Sequence, residues 1–305
     1  MPDRELETVV ARIRELDPQG ERIGLVLRQT LDQLYDGQHT GRYRWDQLHK
    51  TEKTHCGTLV EINLHREFEF EDGEAMDYRI AEIDVDCKYS QTLGRWMIPP
   101  ESMGHLCLLI SADDQQANWS LGLVRIEAAI LTQGDNRDAK KSITAEGKKK
   151  IKWIFKDATL PPNILLQLPR ETVNDIMALP KGQRRIDEIF RVAQRKRIGR
   201  GVIATLGKQD DYMKRVRGNG GSRTRLKGEG IIILGAYEQH KRIAQGLGVP
   251  IPQRGEFVSV QVAPALAAGQ GVVTIDGCLW RIANKSDPLT AAPRCPHYSD
   301  NKSLP

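Results

Sequence analysis

The features missing from the 305-residue chain narrow its class first. No stretch approaches the ~18 consecutive apolar residues of a membrane helix. The opening Met1-Pro-Asp-Arg-Glu-Leu-Glu7 is charged where a secretory signal carries its apolar segment. Both absences lead us to expect a cytoplasmic protein with no membrane partner. Cysteine is sparse: positions 56, 87, 107, 278 and 295 hold one each, and no two form a C-x-x-C pair. An odd, scattered set supports neither a zinc site nor a disulfide framework, so reduced thiols are expected. Internal repeats and low-complexity segments are absent too. The length exceeds a typical single domain, which predicts two.

Charge is present but unevenly placed. Residues 1–155 hold 21 Lys+Arg against 27 Asp+Glu, and residues 156–305 hold 24 against 13. Within the second half, residues 181–227 alone carry 15 basic and 4 acidic side chains, so that half's whole basic excess sits in one segment. A solvated helix face usually intersperses both signs; this concentration points to a polyanion, and nucleic acid is the expected partner.

The acidic half has its own focus. Arg79-Ile-Ala-Glu-Ile-Asp-Val-Asp-Cys-Lys-Tyr89 alternates apolar and charged residues with the two-residue period of a strand. Residues i and i+2 of a strand share a face, so Asp86 and Lys88 point the same way, beside Asp84. Asp77 lies nine residues before Asp86, and Glu61 sixteen before Asp77. Carboxylates converging with one amine could hold a hard divalent cation such as magnesium, which prefers oxygen donors and keeps several waters. Lys88 would orient an attacking water, help deprotonate it, or stabilise developing negative charge. The bland counterpart is a solvated strand edge, because a D-x-K triplet alone is a weak motif.

In chain order, residues 5–16 and 21–35 predict amphipathic helices, the second marked by Ile23, Leu27, Leu31, Leu34 and Tyr35, with Gly37 as its stop. Lys50–His55 reads as a polar loop and Thr58 onward as a helix carrying Glu61. Arg66–Phe70 and Tyr78–Tyr89 predict an antiparallel pair about an Asp72-Gly73 turn. His105–Ser111 is wholly apolar between its histidine and its serine and predicts a buried central strand, with another at Leu121–Ile126. The lysines of Lys140–Trp153 suit a phosphate backbone or an ordinary exposed edge. These elements predict an α/β domain over 1–154 with a mixed sheet flanked by helices. Residues 155–163, ending near Pro161-Pro162, read as a linker.

Residues 164–305 predict a mainly α domain of helix-turn-helix type. Ile186, Ile189, Phe190 and Ala193 mark one helix, Val202–Leu206 a second and Asp210–Arg217 a third. Gly218–Arg225 reads as a wing-like loop; it lacks the G-K-[ST] of a nucleotide-binding loop. Strands at Phe257–Val262 and Gly271–Ile282 complete the domain. The candidate DNA-binding side chains are Arg184, Arg185, Arg197, Lys208, Lys214, Arg215, Arg217, Arg223 and Arg225.

Leu31-Asp-Gln-Leu-Tyr-Asp-Gly-Gln-His-Thr-Gly-Arg42, Lys53-Thr-His55, Glu61, Asp77 and Asp86-Cys-Lys88 together carry a resemblance. With them the chain resembles the NaeI-type (type IIE) restriction endonucleases over nearly its whole length. The resemblance implies a restriction-endonuclease-like PD-(D/E)XK nuclease core at Asp77, Asp86 and Lys88, with Glu61 as an added acid. Met76 stands where the family pattern has proline. It further implies a Mg2+-dependent homodimer in a bacterial cell that hydrolyses both strands of double-stranded DNA at the palindrome GCCGGC. Two copies of the site would be bound: one cut by the N-terminal domain, the other held as activator by a C-terminal domain with a helix-turn-helix like that of catabolite activator proteins. Leu34-Tyr-Asp-Gly37 also resembles the Lys-Tyr-Asp-Gly box of DNA ligases, but leucine has no nucleophile and excludes nucleotidyl transfer there. The alternative reading is a helix-turn-helix regulator without nuclease activity.

Overall fold

The computed structural model describes residues 3–134 and 136–296. The chain forms two compact units, and the division is not a single cut. One unit takes the chain up to Tyr35 and again over Arg44–Pro161; the other takes Asp36–Tyr43 and everything from Pro162.

In the first unit, α1 (Arg4–Leu16) starts where Asp3 accepts a hydrogen bond from the Leu6 N–H at 3.1 Å, satisfying one of the orphan donors of a helix start. α2 (Glu21–Tyr35) buries Ile23, Leu27, Leu31, Leu34 and Tyr35 along one stripe. Its stop is Asp36, in the left-handed region at φ 46°, while Gly37 opens the short α3 (Gly37–Thr40) of the second unit. α4 runs over Lys50–Phe68, so the polar stretch 50–55 expected as a loop is its first turns. The Glu52 carboxylate accepts from the His49 N–H at 2.8 Å, and this reciprocal cap explains why a polar sequence begins a helix there.

The sheet contains β1 (Tyr78–Ile80), β2 (Ile83–Ser90), β4 (Leu106–Asp113), β5 (Asn118–Arg125) and β7 (Lys152–Thr159), in the order β1-β2-β4-β5-β7; a small pair, β3 (Met97–Ile98) with β6 (Lys141–Ser142), lies apart. β2 and β4 are parallel and the other neighbours antiparallel. Two expectations are corrected. The antiparallel pair is not Arg66–Phe70 with 78–89 about Asp72-Gly73: residues 66–68 end α4, because Leu64 and Phe68 sit one helical turn apart and both are buried. Instead 78–90 is itself the hairpin, turning at Ala81 and Glu82, both with positive φ (51° and 64°). The linker expected from residue 155 begins later as well. Phe155–Thr159 is the end of β7, laddered to β5, and the prolines that bar a strand come only at 161 and 162.

β4 is central and buried on both faces, which is why its sequence is apolar without alternation. One face (Leu106, Leu108, Ile110, with Val85 and Cys87 of β2) packs against α1, α2 and α4. The other (Cys107, Leu109, with Val124 of β5) packs against Trp96, Ile98, Ile130, Ile143 and Ile151, from the layer that holds β3, β6 and α5 (Ala145–Lys149). Each side chain so buried contributes about 1.5–3 kcal/mol.

The second unit contains α6 (Ile164–Gln167), α7 (Arg170–Ala178), α8 (Gln183–Val192), β8 (Ile198–Gly199), α9 (Arg200–Gly207), α10 (Ser222–Arg225), β9 (Ile231–Leu234), α11 (Glu238–Leu247), β10 (Glu256–Pro264), β11 (Val272–Ile275) and β12 (Cys278–Ile282). β10 is the hub: it pairs antiparallel with β8, β9 and β12. Asp210–Arg217, expected as a helix, tightens to a 3-10 turn over Tyr212–Arg215. The end of the expected wing-like loop, Ser222–Arg225, is helical because Ser222 and Leu226 are drawn into the core. The whole is a mixed α/β protein. Among the described residues no helix is long and apolar enough to cross a membrane.

Candidate active site

The β1–β2 hairpin and the N-terminal approach to it assemble the acidic residues. Asp84, expected beside Asp86 and Lys88, plays a different part. Its carboxylate accepts from the N–H groups of Glu74 (3.1 Å) and Ala75 (2.8 Å), and so fixes the loop that leads into Asp77. Asp77 sits one residue before β1, and its Oδ2 accepts from the Cys87 N–H on β2 at 2.8 Å. Lys88 donates a short hydrogen bond to Asp86 Oδ1, donates to the Cys87 carbonyl at 3.1 Å, and lies 3.6 Å from Asp77 Oδ2. Glu61 comes from α4, which the Tyr78 hydroxyl ties to the hairpin by donating to the Glu61 carbonyl at 2.8 Å. The Glu61 carboxylate lies within charge-interaction range of Asp77, Lys88 and Asp86. The structure therefore gathers Asp77, Asp86 and Lys88 directly and brings Glu61 to their margin.

Asp86 is 3 % exposed, whereas the side chains of Asp77 and Lys88 keep 26 % and 23 % of their surface open. The site thus has a buried anchor and an accessible mouth. Two residues not singled out in the sequence complete the anchor. Ser102, fully buried, donates to Asp86 Oδ2, and Cys107 Sγ lies 3.9 Å from the same oxygen. Nothing at short range in the sequence signals either one; the parallel pairing of β2 with β4 brings them in, with Asp86 opposite Cys107.

Three carboxylates face one ammonium, and the electrostatics record the imbalance. Burial, then the hydrogen bond shared with Asp86, raises the Asp77 pKa. Burial, then the charge of Asp77, raises that of Glu61. Burial acts to lower Lys88, but its bond to Asp86 and the charges of Asp86 and Asp77 outweigh it, so the net shift is upward and the ammonium is favoured. Excess negative charge on oxygen donors, one of them accessible, fits a hard divalent cation. Among the described residues no three His, Cys, Asp or Glu side chains form a ready-made cage. Two carboxylates suffice for a magnesium ion that keeps most of its waters.

The basic residues of the second unit divide. Arg184 and Arg217 are exposed, and Lys208 caps α9 in the left-handed region at φ 48°. Lys214 pairs with Asp211, Arg215 donates to Gln209 Oε1 at 2.9 Å, and Arg197 lies 3.6 Å from Glu256. Arg225 donates to Asp187 Oδ2 at 2.7 Å but keeps 52 % of its side chain exposed. Arg185 donates to the carbonyls of Met177 and Leu179, and Arg223 to that of Ile233, so both guanidinium groups also fasten the fold. Asp187, 2 % exposed, carries no local signal in the sequence, yet it accepts from Gln183, Ser222 and Arg225 and joins α8 to α10. Leu34, at the ligase-like position, is simply packed in the core of the first unit.

With this geometry in view, the comparisons with known proteins are decisive. Residues 7–291 match the family described as restriction endonuclease NaeI. The chain is also 49% identical, over 306 aligned residues, to the type II restriction enzyme NaeI of Lentzea aerocolonigenes, a match that covers 98% of this chain and 96% of that protein. A likeness of this extent, running through both units and through the hairpin that carries Asp77, Asp86 and Lys88, places the chain in the NaeI family of type II restriction endonucleases.

Proposed function

We propose that the chain is a magnesium-dependent site-specific deoxyribonuclease that hydrolyses both strands of GCCGGC and is activated by a second copy of that site. The observation that carries the catalytic half is the grouping of Asp77, Asp86 and Lys88 on one hairpin with Glu61 at its margin. Asp77 and Asp86 would hold the magnesium ion and Glu61 would support it; when bound, the ion offsets charge on the scissile phosphate and makes water a better nucleophile. Lys88, whose ammonium is favoured, orients the attacking water and stabilises negative charge on the phosphoryl oxygens rather than acting as the base. In-line attack at phosphorus breaks the bond to the 3′ oxygen and leaves a 5′-phosphate and a 3′-hydroxyl.

The element order supports a winged helix-turn-helix reading of the second unit: helix, strand, helix, a broken helical stretch, then β9 and β10 with α11 between them in sequence, and with β10 lying between β8 and β9 in the sheet. Arg184, Arg197, Lys208, Lys214, Arg215, Arg217 and Arg225 would contact the phosphates of the activating duplex and set its register. The palindromic target matches a homodimer, each protomer addressing one half. End-to-end relatedness to a type II restriction enzyme supports the nuclease activity and DNA as its substrate; the GCCGGC target and a bacterial cytoplasm belong to the same reading. A regulator without nuclease activity leaves the acidic group with no role.

The test is digestion of a plasmid holding one GCCGGC site, with and without magnesium, followed by mapping of the ends. We expect discrete linear product with 5′-phosphates, faster when a short duplex carrying the site is added. A shifted but intact plasmid would remove the nuclease reading; linear product indifferent to added duplex would remove the activation. Sedimentation at twice 34.3 kDa checks the dimer.

A further inference from the structure

On the sheet face that carries Asp86 and Lys88, a cleft of about 320 Å³ opens beyond the apolar layer. Gln91, Ser111, Asp113, Asn118, Ser120 and Asp157 line it. Its position follows from strand alternation: Asp86 and Lys88 pair in register with Cys107 and Leu109, and the same face of β4 continues through Ser111 to Asp113. β5 does likewise, passing from Val124 through Gly122 to Ser120 and Asn118, the register partners of Ser111 and Asp113. Both strands thus change from apolar to hydrogen-bonding residues where they leave the layer that covers the rest of this face.

Two further features make the cleft a built one. β7 bulges against β5: Trp119 faces Ala158 and Leu121 faces Phe155, so Ser120 alone opposes two residues. Inside the bulge Asp157 takes the left-handed region at φ 52°, and its N–H donates to Ser120 Oγ at 3.0 Å. Bulges of this kind re-aim a side chain beside functional sites. Asp113 is fixed as well, because its Oδ1 accepts from the N–H groups of Gln115 (2.9 Å) and Gln116 (3.0 Å), which leaves Oδ2 outside that turn. Beside the Gln91 rim, the Lys148 ammonium lies against Gly94, where it can meet a phosphate.

We propose that this cleft is where the first unit reads bases, with Asp113 and Asp157 accepting hydrogen bonds from the 4-amino groups of cytosines in the major groove. The cytosine amine is the donor a carboxylate recognises there. A strand rises about 3.3 Å per residue, so Ser111 and Asp113 lie roughly 7 and 13 Å along the face from the Lys88 row. Duplex DNA rises about 3.4 Å per base pair, which sets the cleft about two to four base pairs from the phosphate at Lys88. A half-site of three G·C base pairs, with two of its three cytosines on one strand, falls within that span. The inference rests on the nuclease reading and extends it to specificity.

The experiment uses the full-length enzyme and the duplex it cuts. Each cytosine is replaced singly by 2-pyrimidinone, which keeps the ring but lacks the 4-amino group, and kcat/KM is measured for wild type, Asp157→Gly and Asp113→Asn. Glycine adopts the left-handed conformation at 157 without strain, and asparagine keeps the turn acceptor at 113 while its NH2 group replaces the other oxygen, so both variants should fold. At one or more cytosines the replacement is expected to slow the wild type about tenfold or more and to slow the matching variant hardly at all. Variants that lose as much as wild type at every cytosine, or that cut none of the duplexes, overturn the proposal. The wild-type rate on unmodified DNA reports separately on the nuclease reading, so failure of one is told from failure of the other.

Discussion

Ser102 donates its hydroxyl hydrogen to Asp86 Oδ2 from a one-turn 3-10 helix (Pro100–Ser102) while Lys88 holds Oδ1, so both oxygens of the buried carboxylate are fixed from opposite ends of the chain segment between them. Groups that orient a ligand carboxylate in this way typically matter by 10–100-fold. Ser102→Ala is therefore expected to lower single-turnover cleavage about 10–100-fold while leaving metal-free DNA binding unchanged in a gel-shift assay. Unaltered cleavage would mean that Asp86 needs no such support.

Asp86→Ala removes the acceptor that both Lys88 and Ser102 address. We expect no measurable cleavage and retained DNA binding. Full cleavage by this variant would take Asp86 out of the catalytic group.

Asp77 carries a raised pKa through burial and Asp86, so the native state holds its proton more tightly than the unfolded chain does. Stability from this group is fully present below the ordinary carboxylate range and falls as pH rises through the raised value. Asp77→Asn, which keeps an acceptor for the Cys87 N–H, should thus raise the melting temperature by about 2 °C at pH 8. The gain should vanish near pH 3, below the usual aspartate pKa of about 3.9, and cleavage should be lost. Equal melting temperatures at pH 8 would contradict the charge argument.

Asp187→Ala deletes three hydrogen bonds of a residue 2 % exposed, one within α8 and two that join α8 to α10. A loss of about 3 kcal/mol is expected for breaking a buried hydrogen-bonded charge. The measurements are a denaturant midpoint and the response to activator duplex, both of which should drop. A variant of wild-type stability would show the network to be dispensable.

Ala81 and Glu82 turn the catalytic hairpin with positive φ at both positions, a conformation that Asn-Gly adopts with less strain. Replacing the pair by Asn-Gly should stabilise the protein by about 1 kcal/mol, even though it removes the exposed Arg79–Glu82 ion pair. A lower denaturant midpoint would show that ion pair, or the turn itself, to be worth more than argued.

The sequence by itself determined the elements whose signal is local and periodic. The stripe of Ile23, Leu27, Leu31 and Leu34, the uninterrupted run of β4 and the alternation around Asp86 and Lys88 all survive folding, because burial of one face or of both imposes those periods directly. Tertiary structure decided what depends on partners distant in sequence. It kept residues 66–68 helical, since Phe68 buries one turn beyond Leu64, and so moved the hairpin turn from Asp72-Gly73 to Ala81-Glu82. It brought Ser102 to Asp86 across sixteen residues and sent Arg185 and Arg223 to backbone carbonyls. Composition counts a charge or a hydroxyl, but only the packed chain determines which buried donor or acceptor it must satisfy.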